Sequence, residues 1–180
     1  LHLQTAPECP LPPWVDPGEY GNHLHMVEAI ETLVRHEQPI HLAVADERLR
    51  TWWNVGRIGS KIRSNIDLAI QRAHVVRDGR FLVLPGSDIT QVRTPTGGAT
   101  RDVQHVHLDE LGMAAVLTIR DVGAVSRAEL VLAVARIFGW TRRGALVDQR
   151  VNEAIDLLIR DGKVINSNDD TLTLPRETPD

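Results

Sequence analysis

The sequence predicts a mostly α chain with small β-hairpins, an α+β fold made of two copies of one unit, on three observations. A basic helix opens on Gly56 and Gly59 and carries Ile58, Ile62, Ile66, Ala69, Ile70 and Ala73 at three- and four-residue steps. That spacing makes a single apolar stripe. A shift of 85 positions superimposes residues 23–74 on 108–159 without a gap. After the third helix each copy reaches Asp-Gly (Asp78-Gly79, Asp161-Gly162), then a basic residue and a β-prone run. Each copy therefore reads helix–helix–helix–hairpin, which is the order of a winged helix-turn-helix, here in a tandem repeat.

The elements follow in order. Half of the prolines (Pro7, Pro10, Pro12, Pro13, Pro17) precede Gly18, so residues 1–21 read as an extended linker or tether. Asn22 is a good N-cap for a first helix to about His36, with Met26, Ile30, Leu33 and Val34 on its buried side. Pro39 ends that helix, Ile40–Leu42 suits a short strand, and a second helix runs through Asp46 to Trp53. The basic third helix is expected to stop at Asp78-Gly79, where glycine takes the left-handed cap. FLVL at 81–84 then pairs with a run near Ile89–Arg93 across Pro85–Asp88. These elements make a first winged-helix domain over 22–95, a linker over 96–106, a second winged-helix domain over 107–175 and a tail over 176–180. In the second domain Ser126 and Glu129 form a capping box, and residues 163–165 and 171–174 flank the polar hairpin tip 166–170.

In the superposition Ala29 falls on Ala114, Arg35 on Arg120, Arg57 on Arg142, Gly59 on Gly144 and Ala69 on Ala154. Apolar class agrees at Leu49/Val134, Trp53/Phe138, Ile62/Val147 and Ile66/Val151. Gapless agreement of helix faces at low identity is what two copies of one fold leave behind.

The formal net charge of −4 argues against wholesale coating of nucleic acid, so any such contact is local. No apolar run is long enough for a bilayer, and no membrane partner is expected. A single cysteine, Cys9, excludes an internal disulfide and fits a reducing cytoplasm. The start at Leu1, without methionine, is what a piece of a longer polypeptide shows.

The local basic excess lies between Arg57 and Arg80: Arg57, Lys61, Arg63, Arg72, Arg77 and Arg80 stand against Asp67 and Asp78. A DNA-binding winged helix sets the start of its third helix in the major groove. Lys61, Ser64 and Asn65 are then the base-facing candidates, Arg57 and Arg63 would meet phosphates, and Ser60 and Arg72 are further candidate contacts. The plain alternative is a solvated helix face. In the second copy Leu146 stands where Lys61 does, Asp148 replaces Arg63, and Asp169 and Asp170 occupy the wing. Only Arg142 and Arg143 remain there as phosphate candidates, and a structural or protein-contacting role is expected.

His23/His25 and His105/His107 are both HxH pairs, yet no CxxC or HExxH accompanies them. They read as surface or capping residues, and no metal or cofactor is expected. His41 and Ser126 are matched positions at helix starts. Trp52, Trp53 and Trp140 would suit base stacking. For Trp52 and Trp53 the matches Ile137 and Phe138 make core packing the better account. Trp14 is a candidate for docking onto a neighbouring domain. No constellation for nucleophilic or acid–base catalysis is present, so the segment reads as non-catalytic.

PIH at 39–41, GRIGSKIRSNIDLAI at 56–70, DGRFLVLPG at 78–86, VRTP at 92–95, the run 128–147 and AIDLLIRDGKV at 154–164 carry a resemblance. The chain resembles the C-terminal domain of unknown function of large bacterial superfamily-one helicase-like proteins that also hold a Vsr-type endonuclease-like domain. The resemblance implies a DNA-processing parent in repair or defence, and no catalytic residues in this segment. The partners expected are double-stranded DNA and other domains of that parent. A protein-interaction or scaffolding module docking onto the ATPase or nuclease domains is the rival reading.

Overall fold

The computed structural model describes residues 2–3, 7–10, 12, 15–96, 99–142, 144–167 and 169–176. Trp14 and Arg143 lie outside the described residues. The chain divides into an N-terminal unit, Thr5–Asp88, and a C-terminal unit, Ile89–Asp180, which also takes in Leu1–Gln4. Each is mostly helical with a small antiparallel sheet. The first strand, β1 (His2–Leu3), belongs by pairing to the C-terminal unit.

In the N-terminal unit α1 (His23–Glu37) leads to β2 (Ile40–His41), α2 (Leu42–Trp52) and α3 (Ser60–Arg72), then to β3 (Val76–Asp78) and β4 (Phe81–Val83). The apolar stripes meet in one core, with Met26, Ile30 and Leu33 of α1 against Leu49 of α2 and Ile66 of α3. Each such side chain taken out of water is worth about 1.5–3 kcal/mol. A bidentate ion pair fixes α2 against the end of α1: Arg48 Nε and Nη2 donate to the buried Glu37 carboxylate at 2.8 and 3.3 Å.

Two sequence expectations change here. The third helix ends at Arg72, not Asp78, and a strand follows it. Val75 and Val76 are β-branched and favour extended backbone, and the Glu31 carboxylate accepts the His74 N–H at 2.8 Å, which turns the chain out of the helix. FLVL pairs not with 89–93 but with β3 on one side and β2 on the other, in the order β2-β4-β3. The hairpin closes through the two residues Gly79-Arg80, with Gly79 at φ 55° supplying the positive φ of such turns.

The C-terminal unit opens with β5 (Arg93–Thr94), parallel to β1 in the register His2–Arg93 and Leu3–Thr94. It continues with α4 (Leu108–Val122), β6 (Ala124–Ser126), α5 (Arg127–Ile137), α6 (Ala145–Arg160), β7 (Ile165–Asn166) and β8 (Thr171–Thr173), with sheet order β6-β8-β7. The helix bounds repeat in register. Adding 85 carries α1 onto α4 and α2 onto α5 end to end, and the first residue of α3 onto that of α6, which runs three residues longer. Matched residues share burial, as Met26/Leu111, Ala29/Ala114, Leu49/Val134 and Ile66/Val151 do. So do the caps. His41 Nδ1 accepts the Ala43 N–H at 3.2 Å, and Ser126 forms a complete capping box with Glu129.

Ahead of the first helix in each copy, several described residues pack onto or bond to their own unit. In the N-terminal unit Val15 lies in the core, Trp52 Nε1 donates to the Pro7 carbonyl at 3.1 Å, and Asn65 Nδ2 donates to the Pro17 carbonyl at 2.9 Å. In the C-terminal unit Trp140 Nε1 donates to the Arg101 carbonyl at 2.6 Å and Arg150 Nη2 to the Val106 carbonyl at 3.3 Å. Residues 92–101, part of which the sequence assigns to a linker, hold Val92 in that core and Arg93 beside Glu110. Gly139 sits there at φ 79°, and a Cβ on it would lie 2.8 Å from the Ala99 carbonyl oxygen.

Candidate nucleic-acid interface

The turn between α2 and α3 is what aims the basic helix. Asn54 takes φ 49°, and Arg50 Nη1 donates across the turn to the Gly56 carbonyl at 3.5 Å. Gly59 is the N-cap of α3, with no side-chain cap and no carboxylate in the first turn. The first backbone N–H groups of a helix have no intrahelical acceptor, and with the helix dipole they give that end a partial positive charge. Arg57 precedes this end and Lys61 follows it. Both are exposed and have no ion-pair partner among the described residues.

Of the other residues named from sequence, Ser60, Ser64 and Arg72 are exposed on the same helix. The Ser64 hydroxyl donates back to the Ser60 carbonyl at 3.1 Å and can exchange that bond for another acceptor. Two residues are placed otherwise. Arg63 turns toward α2 and pairs with Asp46, and its hydrogen bond to that carboxylate holds its pKa above the ordinary guanidinium value. Asn65 is 5% exposed and committed to Pro17, so it is out of a duplex's reach in this conformation. Both follow from helix geometry, since 63 and 65 lie on the two flanks where α3 meets its neighbours. The sequence alone does not show how wide the buried arc is.

The β3–β4 hairpin adds two cations that the basic count included but the set of candidate contacts did not. Arg77 and Arg80 are exposed beside the turn, and Arg77 Nε donates to the Gly79 carbonyl at 3.2 Å. The signal for the hairpin was Asp78-Gly79 before a β-prone run.

In the C-terminal unit two of the arginines on the matched surface, Arg127 and Arg150, are ion-paired. Arg142 is exposed, and Arg143 lies outside the described residues. Arg150, in the place of Asn65, donates to Glu153 at 3.2 Å as well as to Val106. Arg127 bridges Asp156 at 2.8 Å and Asp170 at 3.8 Å. Along α6, Gln149, Asn152, Glu153, Asp156, Leu157 and Arg160 line a shallow groove of about 500 Å³.

A buried charge cluster in this unit had no sequence signature. Arg93 and Arg101 both bond the fully buried Glu110, with Arg93 Nη2 at 2.9 Å from Oε2 and Arg101 Nη1 at 2.6 Å from Oε1. Burial alone would raise the Glu110 carboxyl, but the charge of Arg93 and the bonds and charge of Arg101 outweigh it and hold the group below the ordinary glutamate range. The Arg101 guanidinium also lies 5.6 Å from the Phe138 ring centroid, and Phe138 stacks on Trp140 at 5.0 Å. Trp140 is thereby a core residue and not a stacking platform.

Three of the histidines bond to backbone groups at helix starts. His41 and His107 accept N–H groups at helix starts, and His23 Nδ1 lies 3.0 Å from the Tyr20 carbonyl oxygen. Among the described residues no three His, Cys, Asp or Glu are grouped so as to hold a metal ion. Nor is any helix among them long and apolar enough to cross a membrane.

A family of proteins of unknown function, DUF3320, matches residues 19–64, which span α1, β2, α2 and the start of α3. No curated protein and no solved structure matches the chain.

Proposed function

We propose that each unit is a winged helix and that the chain is a non-catalytic, duplex-binding accessory module of a helicase-related DNA-processing protein. The N-terminal unit makes the contact. One observation carries this reading: Arg57 ahead of α3, and Lys61 and Arg72 on it, are exposed with no carboxylate paired to them among the described residues, while on the matched helix α6 Asp156 and Arg150 are ion-paired. The order helix–strand–helix–helix–hairpin and the sheet order β2-β4-β3 support the winged-helix assignment. The open, dipole-positive start of α3 favours phosphate oxygens.

Fluorescence anisotropy of a labelled random duplex, titrated at several salt concentrations, tests it. Affinity should fall with salt at a log–log slope of about −0.9 for each neutralised phosphate. Arg57→Glu with Lys61→Glu should abolish binding and leave the helical circular dichroism unchanged. These two are better choices than Arg63, whose loss would also break its pair with Asp46. Binding that survives the reversal would sink the assignment of α3.

A second reading belongs to the C-terminal unit. Its groove along α6 is lined by both charges, and carboxylates stand on the helix and at the wing, a surface suited to a protein partner. Docking onto the ATPase or nuclease domains of a parent protein is the form this takes.

A further inference from the structure

We infer that the described lead of the N-terminal unit, residues 7–10, 12 and 15–19, competes with duplex DNA for one flank of α3, an inference that rests on the DNA reading above. On α3 residues 61, 65, 68 and 72 follow one another at four-, three- and four-residue steps and so share a stripe. Lys61 and Arg72 at its ends are exposed, whereas Asn65 between them is buried, with Nδ2 donating to the Pro17 carbonyl of the lead. An asparagine amide is a side chain that can bond an adenine edge in the major groove, and here it is occupied.

The lead is held by the Asn65 bond, by Trp52 Nε1 on the Pro7 carbonyl and by Val15 in the core. Its end is shaped by Asp16, whose carboxylate accepts the Gly18 N–H at 2.7 Å and whose carbonyl accepts from Asn22 Nδ2 at 3.0 Å. Its charge is of one sign. Glu8, Asp16 and Glu19 are exposed, and no Lys or Arg occurs before Arg35. Carboxylates beside a basic helix complement its cations and repel incoming phosphates within a Debye length. Space and charge thus act together: a duplex reaching Asn65 must displace the lead, and by reciprocity of linkage bound DNA must loosen it.

The test uses the full chain and the labelled random duplex. Trp52→Phe removes one tether and leaves a smaller aromatic ring in its place, and Glu8→Gln with Glu19→Gln removes lead charge at two exposed positions. Both should bind DNA about threefold or more tightly, because affinity scales with the fraction of molecules that are open. Hydrogen exchange at the Val15, Gly18 and Glu19 amides, all hydrogen-bonded within the lead, should quicken in the wild type when duplex is added. Wild-type binding with no gain in either variant overturns the competition and leaves the DNA reading standing. A gain in the charge variant alone, with exchange unmoved, is long-range electrostatics and also overturns it. No binding by any of the proteins at low salt overturns the DNA reading, and the lead's role with it.

Discussion

Glu110 shows how much can hang on one carboxylate. Two nearly buried guanidiniums converge on it, so Glu110→Gln leaves positive charge buried without its counter-charge. Breaking a buried ion pair from one side costs about 3–5 kcal/mol, and urea unfolding should show a loss of that order. The pH dependence has a definite sign. Because the folded group is held below the ordinary glutamate range, the unfolded chain takes up the proton first as pH falls. The stabilisation is therefore complete above the ordinary glutamate value and is lost as pH drops through the folded one. A melting series between about pH 6 and 3 should show this decline, and the Glu110→Gln protein should show less of it. Gly139→Ala is a second single-residue test. The added methyl would meet the Ala99 carbonyl at a positive φ, so a loss of about 1–3 kcal/mol is expected in thermal unfolding.

At the scale of elements, helix starts were legible and strand partners were not. Caps are local chemistry: the oxygen of Ser126, the ring of His41 and the glycines before α3 and α6 announce themselves within a few residues. The pairing of β4 with β2 joins residues some forty positions apart, and nothing at 81–83 says that it will take β2 as well as β3 for a neighbour. The overrun of α3 to Asp78 has a similar cause, since the Glu31 carboxylate that turns the chain lies on another helix. The exposed basic end of α3 could be read from spacing, but the withdrawal of Arg63 and Asn65 could not, because Asp46 and Pro17 are distant in sequence. Ser126→Ala should cost about 1 kcal/mol by removing the capping-box acceptor, read as a lower melting temperature of the C-terminal unit.

For the molecule as a whole, the duplicated register was visible in the sequence, and the chain divides into two units. The division falls at Asp88/Ile89, and Val92 in the core and Arg93 on Glu110 belong to the second unit. A fragment starting at residue 89 should therefore fold more stably than one starting at 96, which lacks both. Differential scanning calorimetry of the two fragments measures the gap. The bonds from the indoles of Trp52 and Trp140, and from Asn65 and Arg150 on the third helices, reach carbonyls ahead of the first helix in each copy. A chimera that exchanges the copies at His23 and Leu108 would cut each donor from its acceptor. The portable cassette begins upstream of its first helix, at Pro7 in one copy and no later than Val92 in the other.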